Sequence, residues 1–342
     1  MADVMRLAMI GCGDISPQYV KAAEEVACTE VKVVMDAVEA HAEKLGKEFG
    51  KEYTTDYDAI LARDDIDGVM ISVPHYLHAP LTIQAAKAGK HVLCDKPIST
   101  NVADAQKMID ACKEAGVALS INFPRRMMSM SRKTKELLEG GVIGEIIYIS
   151  QDERGFKPES YWSEGWGKRV KTDWRPSLEK AGGGILIMNA IHGIDALRYM
   201  TGLEAVSISA LVDTFVSDVE VEDTVSAVIK LSNGGMWNIQ SASSLVGTES
   251  SGTVIHGKLG QIKLGSPLKV YTTRTDTELK ANEWNEVEAP RGKLTYVGYL
   301  TETCEAILAG KEVPIPGIEG LKTLAVVTGI YESGRTGKPV VL

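Results

Sequence analysis

The clearest chemistry in the chain lies in Asp95-Lys96-Pro97. These residues end the apolar run Val92-Leu93-Cys94. Proline has no N–H for a sheet ladder and biases the residue before it away from helix, so Lys96 stands where a strand stops. Open α/β sheets bind ligands at the carboxyl ends of their strands. A lysine held there beside a carboxylate is a candidate acid/base group; a surface Lys-Pro turn is the alternative. A second candidate is His192, after the triplet Gly182-Gly183-Gly184. Apolar residues at 187, 191, 194 and 197 mark one face of a helix over 185–199, and Met188, His192, Asp195 and Tyr199 form an adjacent stripe. His192 then stands one turn from Asn189 or Asp195, either of which could fix its tautomer. The competing reading is a satisfied structural histidine.

Both candidates need elements to position them. Arg6 to Ile10 reads as a short buried strand, and Gly11-Cys12-Gly13-Asp14-Ile15-Ser16 follows at once. This G-x-G-x-x-S pattern fits a dinucleotide turn. The first glycine makes the turn, the second lets backbone approach a pyrophosphate, and the third small residue allows close helix–strand packing. A helix starting near Pro17 would turn free N–H groups toward the phosphates. The next strand, Glu30 to Met35, ends at Asp36. A carboxylate there accepts from a ribose 2′-hydroxyl and repels a 2′-phosphate, which favours NAD over NADP; a strand-end acid capping the helix 39–49 is the plainer alternative. Strands and helices alternate through Asn122, which implies βαβ units and a parallel sheet with helices on both faces.

After Asn122-Phe123-Pro124 this rhythm stops. The expectation is a dinucleotide-binding α/β domain over 1–122 and an α+β domain over 123–342 for substrate binding and oligomerisation. The second would carry a large, mostly antiparallel open sheet, with the C-terminal helix packing back on the first. Residues 153–184 form a long irregular segment with Tyr161, Trp162, Trp166, Trp174 and Arg175. Ring faces beside hydrogen-bond donors suit a carbohydrate or polyol; a loop packed by its own aromatics is the alternative. An open sheet has an outer face to cover, which makes a homodimer or homotetramer plausible.

Bulk properties narrow the classes. Among 342 residues, 44% are hydrophobic and 24% charged, as in ordinary globular chains. A net charge of -9 argues against nucleic-acid or anionic-membrane partners. The five cysteines show no C-x-x-C or zinc-site spacing, so no metal is expected and reduced thiols fit best. There is no signal-peptide pattern and no apolar run of the ~18 residues needed to span a bilayer. The expectation is a cytoplasmic protein.

In this order the motifs resemble those of the Gfo/Idh/MocA family of NAD(P)-dependent sugar and polyol oxidoreductases. The resemblance rests on Gly11-x-Gly13-x-x-Ser16, Ser72-Val73-Pro74-His75-x-x-His78 and Gly89 to Pro97. It continues in Arg125-Arg126, Gly141-x-Ile143-Gly144-Glu145, Trp174-Arg175, Gly182 to Gly184 and His192-x-x-Asp195. It implies hydride transfer between nicotinamide and a secondary hydroxyl or carbonyl of a sugar, polyol or cyclic sugar derivative. It places the cofactor on Gly11, Gly13, Asp14, Ile15, Ser16, Asp36, Ser72, Pro74, His75, His78, Asp95, Lys96, Pro97 and Arg126. Substrate would meet Lys96, Arg125, Tyr161, Trp174, Arg175, Asn189 and His192, with Lys96, His192, Asn189 and Asp195 in the catalytic set. Two departures stand out. Asp95 replaces the family's usual glutamate, and Met188 stands where many members have a carboxylate four residues before the histidine. Two alternatives follow: a relative that uses transient oxidation for glycoside cleavage or elimination, and a catalytically silent NAD-binding regulator.

Overall fold

The computed structural model describes residues 4–289 and 295–342. In chain order the first elements are β1 (Met5–Ile10), α1 (Ser16–Glu25), β2 (Thr29–Met35), α2 (Glu39–Phe49), β3 (Glu52–Thr54), α3 (Tyr57–Leu61) and β4 (Gly68–Ile71). There follow α4 (His78–Lys87), β5 (His91–Asp95), α5 (Val102–Ala115), β6 (Leu119–Asn122), α6 (Ser129–Glu139), β7 (Ile146–Arg154), α7 (Ser160–Glu164), α8 (Leu178–Ala181) and α9 (Ile191–Thr201). The remainder is β8 (Ala205–Asp213), β9 (Thr224–Leu231), β10 (Met236–Ala242), β11 (Thr253–Gly257), β12 (Gly260–Lys263), β13 (Leu268–Thr272), β14 (Trp284–Val287), α10 (Thr295–Leu308), α11 (Gly317–Thr336) and β15 (Val340–Val341).

The chain divides into two compact units. The first comprises Met1–Pro124, Glu159–Gly183 and Lys293–Leu324. Its six-stranded sheet has the order β3-β2-β1-β4-β5-β6, and every pairing is parallel. Helices cover such sheets on both faces, so the central strands read as unbroken apolar runs rather than alternating ones. Leu7 to Ile10, Val69 to Ile71 and Val92 to Cys94 are all fully buried. Each large side chain among them stabilises the fold by about 1.5–3 kcal/mol relative to exposure. Strand order reverses between β1 and β4, which opens the crevice beyond their carboxyl ends. Polar side chains set two of the helix starts: Asp56 accepts from the Ala59 N–H and Asn101 from the Asp104 N–H, each at 2.9 Å. In the same unit Tyr296 of α10 meets Tyr19 of α1 edge-on, with ring centroids 5.2 Å apart.

The second unit comprises Arg125–Pro158, Gly184–Gly292 and Ala325–Leu342. Its nine strands run β14-β13-β12-β11-β7-β10-β9-β8-β15. All neighbours are antiparallel except β7 and β10, whose pairing is parallel and makes the sheet mixed. In β9, Val225, Ala227, Ile229 and Leu231 are buried while Ser226, Val228 and Lys230 are exposed. That alternation is the mark of a sheet covered on one face.

Candidate active site

The first unit builds a nucleotide cradle. Gly11 follows β1 with φ +92°, and a side chain there would collide with the Ser72 carbonyl just past β4. At Gly13 the nearest atom to an added Cβ is Val170 Cγ2 at 4.0 Å, ordinary van der Waals distance, so no clash excludes a side chain there. Ser16 is fully buried and donates its hydroxyl to the Gly13 carbonyl at 2.8 Å, which ties the turn to α1. Ile15 gives α1 no side-chain cap, and no acid stands in the first turn. The helix therefore presents uncapped N–H groups and a positive dipole end, a setting suited to phosphate. Asp36 takes the Cys12 N–H on Oδ2 and the Val38 N–H on Oδ1, both at 2.9 Å, with His41 Nδ1 3.4 Å from Oδ1. These residues fit a dinucleotide with a free ribose hydroxyl: a tight glycine turn, a bare helix start and a fixed carboxylate.

Lys96 follows β5 and is partly buried. Its N–H donates to Asp95 Oδ1 at 2.9 Å, and Ser72 Oγ lies 3.4 Å from Asp95 Oδ2. Burial pushes the Asp95 carboxyl up, while the Lys96 ammonium and N–H, Ser72 and Tyr19 pull it down. The Lys96–Pro97 peptide is cis. His78 Nδ1 lies 2.7 Å from the Pro97 carbonyl and Nε2 lies 3.0 Å from that of Val73. Two carbonyl partners would suit an imidazolium, but burial lowers the ring to about 4. At neutral pH it carries one proton, which we assign to the shorter contact with Pro97. His78 therefore fixes the backbone that bears Lys96, and Pro74 sits just ahead of both histidines. His75 donates from Nδ1 to the Ala181 carbonyl at 2.7 Å, and burial holds it well below the usual histidine range.

Tyr161, Trp174 and Arg175 belong to this same unit. The Trp174 ring lies 4.5 Å from that of His75, and the Arg175 guanidinium lies over Trp174 at 4.8 Å and over Tyr161 at 5.8 Å. Arg175 Nη2 is 3.8 Å from Asp14 Oδ2.

The second unit carries Arg125, Arg126, Asn189, His192 and Asp195. A π-helical turn, Leu186–Ala190, precedes α9, and such turns recur at functional sites. Asn189, His192 and Tyr199 are partly exposed, whereas Met188 and Asp195 are buried. The accessible stripe is therefore 189, 192 and 199. Asp195 accepts a bidentate pair from Arg126, Nε to Oδ2 at 2.8 Å and Nη2 to Oδ1 at 2.6 Å, with side-chain exposures of 0% and 6%. Both charges are occupied by each other inside the unit. Arg125 instead binds Glu153 through Nη1 at 2.9 Å and Nη2 at 3.3 Å, and Gln151 donates to the same Glu153 Oε1 at 2.9 Å.

Sequence reasoning passed over Glu222 and Tyr331. The buried Glu222 carboxylate accepts the N–H groups of Gly184 and Leu186, the latter at 2.9 Å, and the Tyr331 hydroxyl at 2.9 Å. Burial raises its pKa and these donors oppose the rise. Ile187 N–H donates to the Tyr331 oxygen at 3.2 Å. Together they cap the helical run that bears Asn189 and His192. A lone Glu before Asp223 gave no spacing signal for this. Among the described residues no cluster of His, Cys, Asp or Glu could hold a metal ion.

Comparison with known proteins agrees with this geometry. The description "Oxidoreductase family, NAD-binding Rossmann fold" matches residues 5–123, and "GFO/IDH/MocA C-terminal domain" matches 131–263. An inositol 2-dehydrogenase of Rhizobium meliloti is 26% identical over 337 residues, covering 96% of each chain. The crystal structure of an aldose-aldose oxidoreductase from Caulobacter crescentus, complexed with glycerol, superposes with a TM-score of 0.85 at 27% identity, covering 99% of this chain and 100% of that one. The WlbA dehydrogenase of Bordetella pertussis, in complex with NADH and UDP-GlcNAcA, gives 0.86 at 25% identity, covering 100% and 99%. The glycine turn, Asp36 and the two matched domains make this chain a member of the Gfo/Idh/MocA family, an NAD(H)-dependent dehydrogenase or reductase acting on CH–OH groups.

Proposed function

We propose that the enzyme moves hydride between NAD(H) and a secondary hydroxyl or carbonyl of a sugar, polyol or cyclic sugar derivative. Lys96 and His192 would handle the proton. The reading is carried by Lys96, which stands at a strand end of the nucleotide sheet with Asp95 and His78 fixing its backbone. The bound nicotinamide supplies or accepts the hydride. Lys96 polarises the substrate oxygen, and His192 takes its proton during oxidation. Asn189, on the accessible stripe with His192, orients the substrate. Arg125, Tyr161, Trp174 and Arg175 are the further candidates for substrate contact; Arg126 and Asp195 support α9 through their mutual pair. The names of the inositol and aldose enzymes support a polyhydroxylated substrate.

No helix among the described residues is long and apolar enough to cross a membrane, and a cytoplasmic enzyme is the reading we adopt. The exposed Leu211 and Val228 of the nine-stranded sheet support a homodimer or homotetramer. The deciding experiment follows absorbance at the NADH band over a panel of sugars, inositols and anhydrosugars. Substrate-dependent NADH formation with at least one of them supports the proposal. Product formed without net NADH points to the transient-oxidation alternative, and a protein that binds NADH but converts nothing would overturn it.

A further inference from the structure

The segment Gly165 to Thr172 lies against the glycine turn of its own unit, and the side chains of Asp14 and Arg169 hold it there. Asp14, 2% exposed, accepts the backbone N–H groups of Gly167 at 3.1 Å and Arg169 at 3.0 Å. Arg169, 12% exposed, donates from Nε to the Cys12 carbonyl at 3.3 Å and reaches Glu48 Oε2 at 2.8 Å. Gly165, at φ +70°, leaves no room for a Cβ because Asp14 fills that space, and Val170 is the atom group nearest above Gly13. The strap is thus fastened from both sides of Gly13, the second glycine of the turn, where a fingerprint of this kind brings backbone to a pyrophosphate.

Asp14 has no obvious reason to stand there otherwise. A carboxylate beside a pyrophosphate repels it, and the position would suit a neutral residue. Its charge is instead consumed by backbone donors of the strap, with the Arg175 guanidinium nearby. We infer that Asp14 and Arg169 form a latch that closes residues 165–172 over the bound dinucleotide and sets the rate at which NAD(H) exchanges. Exchange requires these hydrogen bonds to break together, so the closed strap slows access and departure alike. The inference needs only the NAD(H) site and stands independently of the roles proposed for Lys96 and His192.

The test is NADH binding to the full chain by stopped-flow fluorescence, with displacement by excess NAD for the dissociation rate. Asp14→Ala and Arg169→Gln should each raise association and dissociation rates together, by about tenfold or more, with Kd moving only a few-fold. Glu48→Gln, which removes the carboxylate paired with Arg169 and lies outside the turn, should shift both rates in the same direction by a smaller factor. If Asp14 acts only as a charge near the phosphates, its removal will slow dissociation, and the latch is wrong. Unchanged rates in all three variants would equally overturn it.

Discussion

Asp36 Oδ2 accepts the N–H of Cys12 at 2.9 Å, so the carboxylate at the end of β2 is fixed by the glycine turn itself. One bond thereby links the carboxylate proposed to read the ribose to the turn proposed to receive the phosphates. Asp36→Ser should lower kcat/KM for NAD by on the order of tenfold to a hundredfold, the worth of a charge-assisted hydrogen bond. The same change should improve NADP relative to NAD. Parallel kinetics with both cofactors check this; an unaltered NAD/NADP ratio would remove Asp36 from ribose recognition.

Lys96→Met should abolish turnover while leaving NADH affinity within a few-fold, because the change removes the ammonium and leaves the turn at Gly11 to Ser16 untouched. Fluorescence titration with NADH beside a steady-state assay separates the two. Normal turnover in this variant would sink the catalytic proposal.

Removing one member of the Arg126–Asp195 pair leaves a buried charge without its partner. Asp195→Asn or Arg126→Met should each cost about 3–5 kcal/mol of stability. Changing both together should cost less than the sum of the single changes, since they share one interaction. Urea unfolding of the three variants measures the coupling, and additive losses would show that the pair does not act as a unit.

His78 gives stability a pH dependence with a definite sign. Its folded value is about 4 against an ordinary 6.5, so between those values the unfolded chain binds more protons than the folded one. Stability should therefore fall as pH drops through that window, by up to roughly 3 kcal/mol from this residue. His75, also held low by burial, adds in the same direction. Thermal unfolding from pH 7 to pH 4 tests this, and His78→Asn should flatten the slope. A slope identical in wild type and variant would rule His78 out as its source.

Glu222→Gln replaces a two-acceptor carboxylate with an amide whose nitrogen cannot accept from Gly184 or Leu186. The turn beneath Asn189 should shift, with kcat falling on the order of tenfold while NADH affinity holds. Tyr331→Phe should show a weaker form of the same split. A loss confined to NADH binding would be inconsistent with a role in placing α9.

Much of this was legible in the residues. The parallel sheet could be read because its core strands are continuous apolar runs bounded by Gly, Pro and capping residues, and α2 falls at Glu39–Phe49, where the periodicity put it. Edge strands β3 and β14 were missed: at three and four residues, with little burial, they carry no period to detect. The expected stripe through Met188 and Asp195 assumed 3.6 residues per turn. Met188 and Asp195 are instead buried, Asp195 against Arg126, and the partly exposed positions of this run are 189, 192 and 199. Pairings between distant residues, such as Arg126 with Asp195 or Asp14 with the Arg169 N–H, have no local signature. They depend on which backbone segments the fold brings side by side.

The two units are each stitched from three separate lengths of chain, so the polypeptide passes between them five times. No single cut can release an intact nucleotide unit. A fragment ending at Pro124 would lack Tyr296 against Tyr19, the Ile315 carbonyl that accepts from Ile121 N–H, and the Ala181 carbonyl that holds His75. Such a fragment would uncover Tyr19, Ile121 and His75, all buried in the full chain. Transplanting the nucleotide unit of this chain must therefore move three segments at once, two of which lie beyond residue 150 in the sequence.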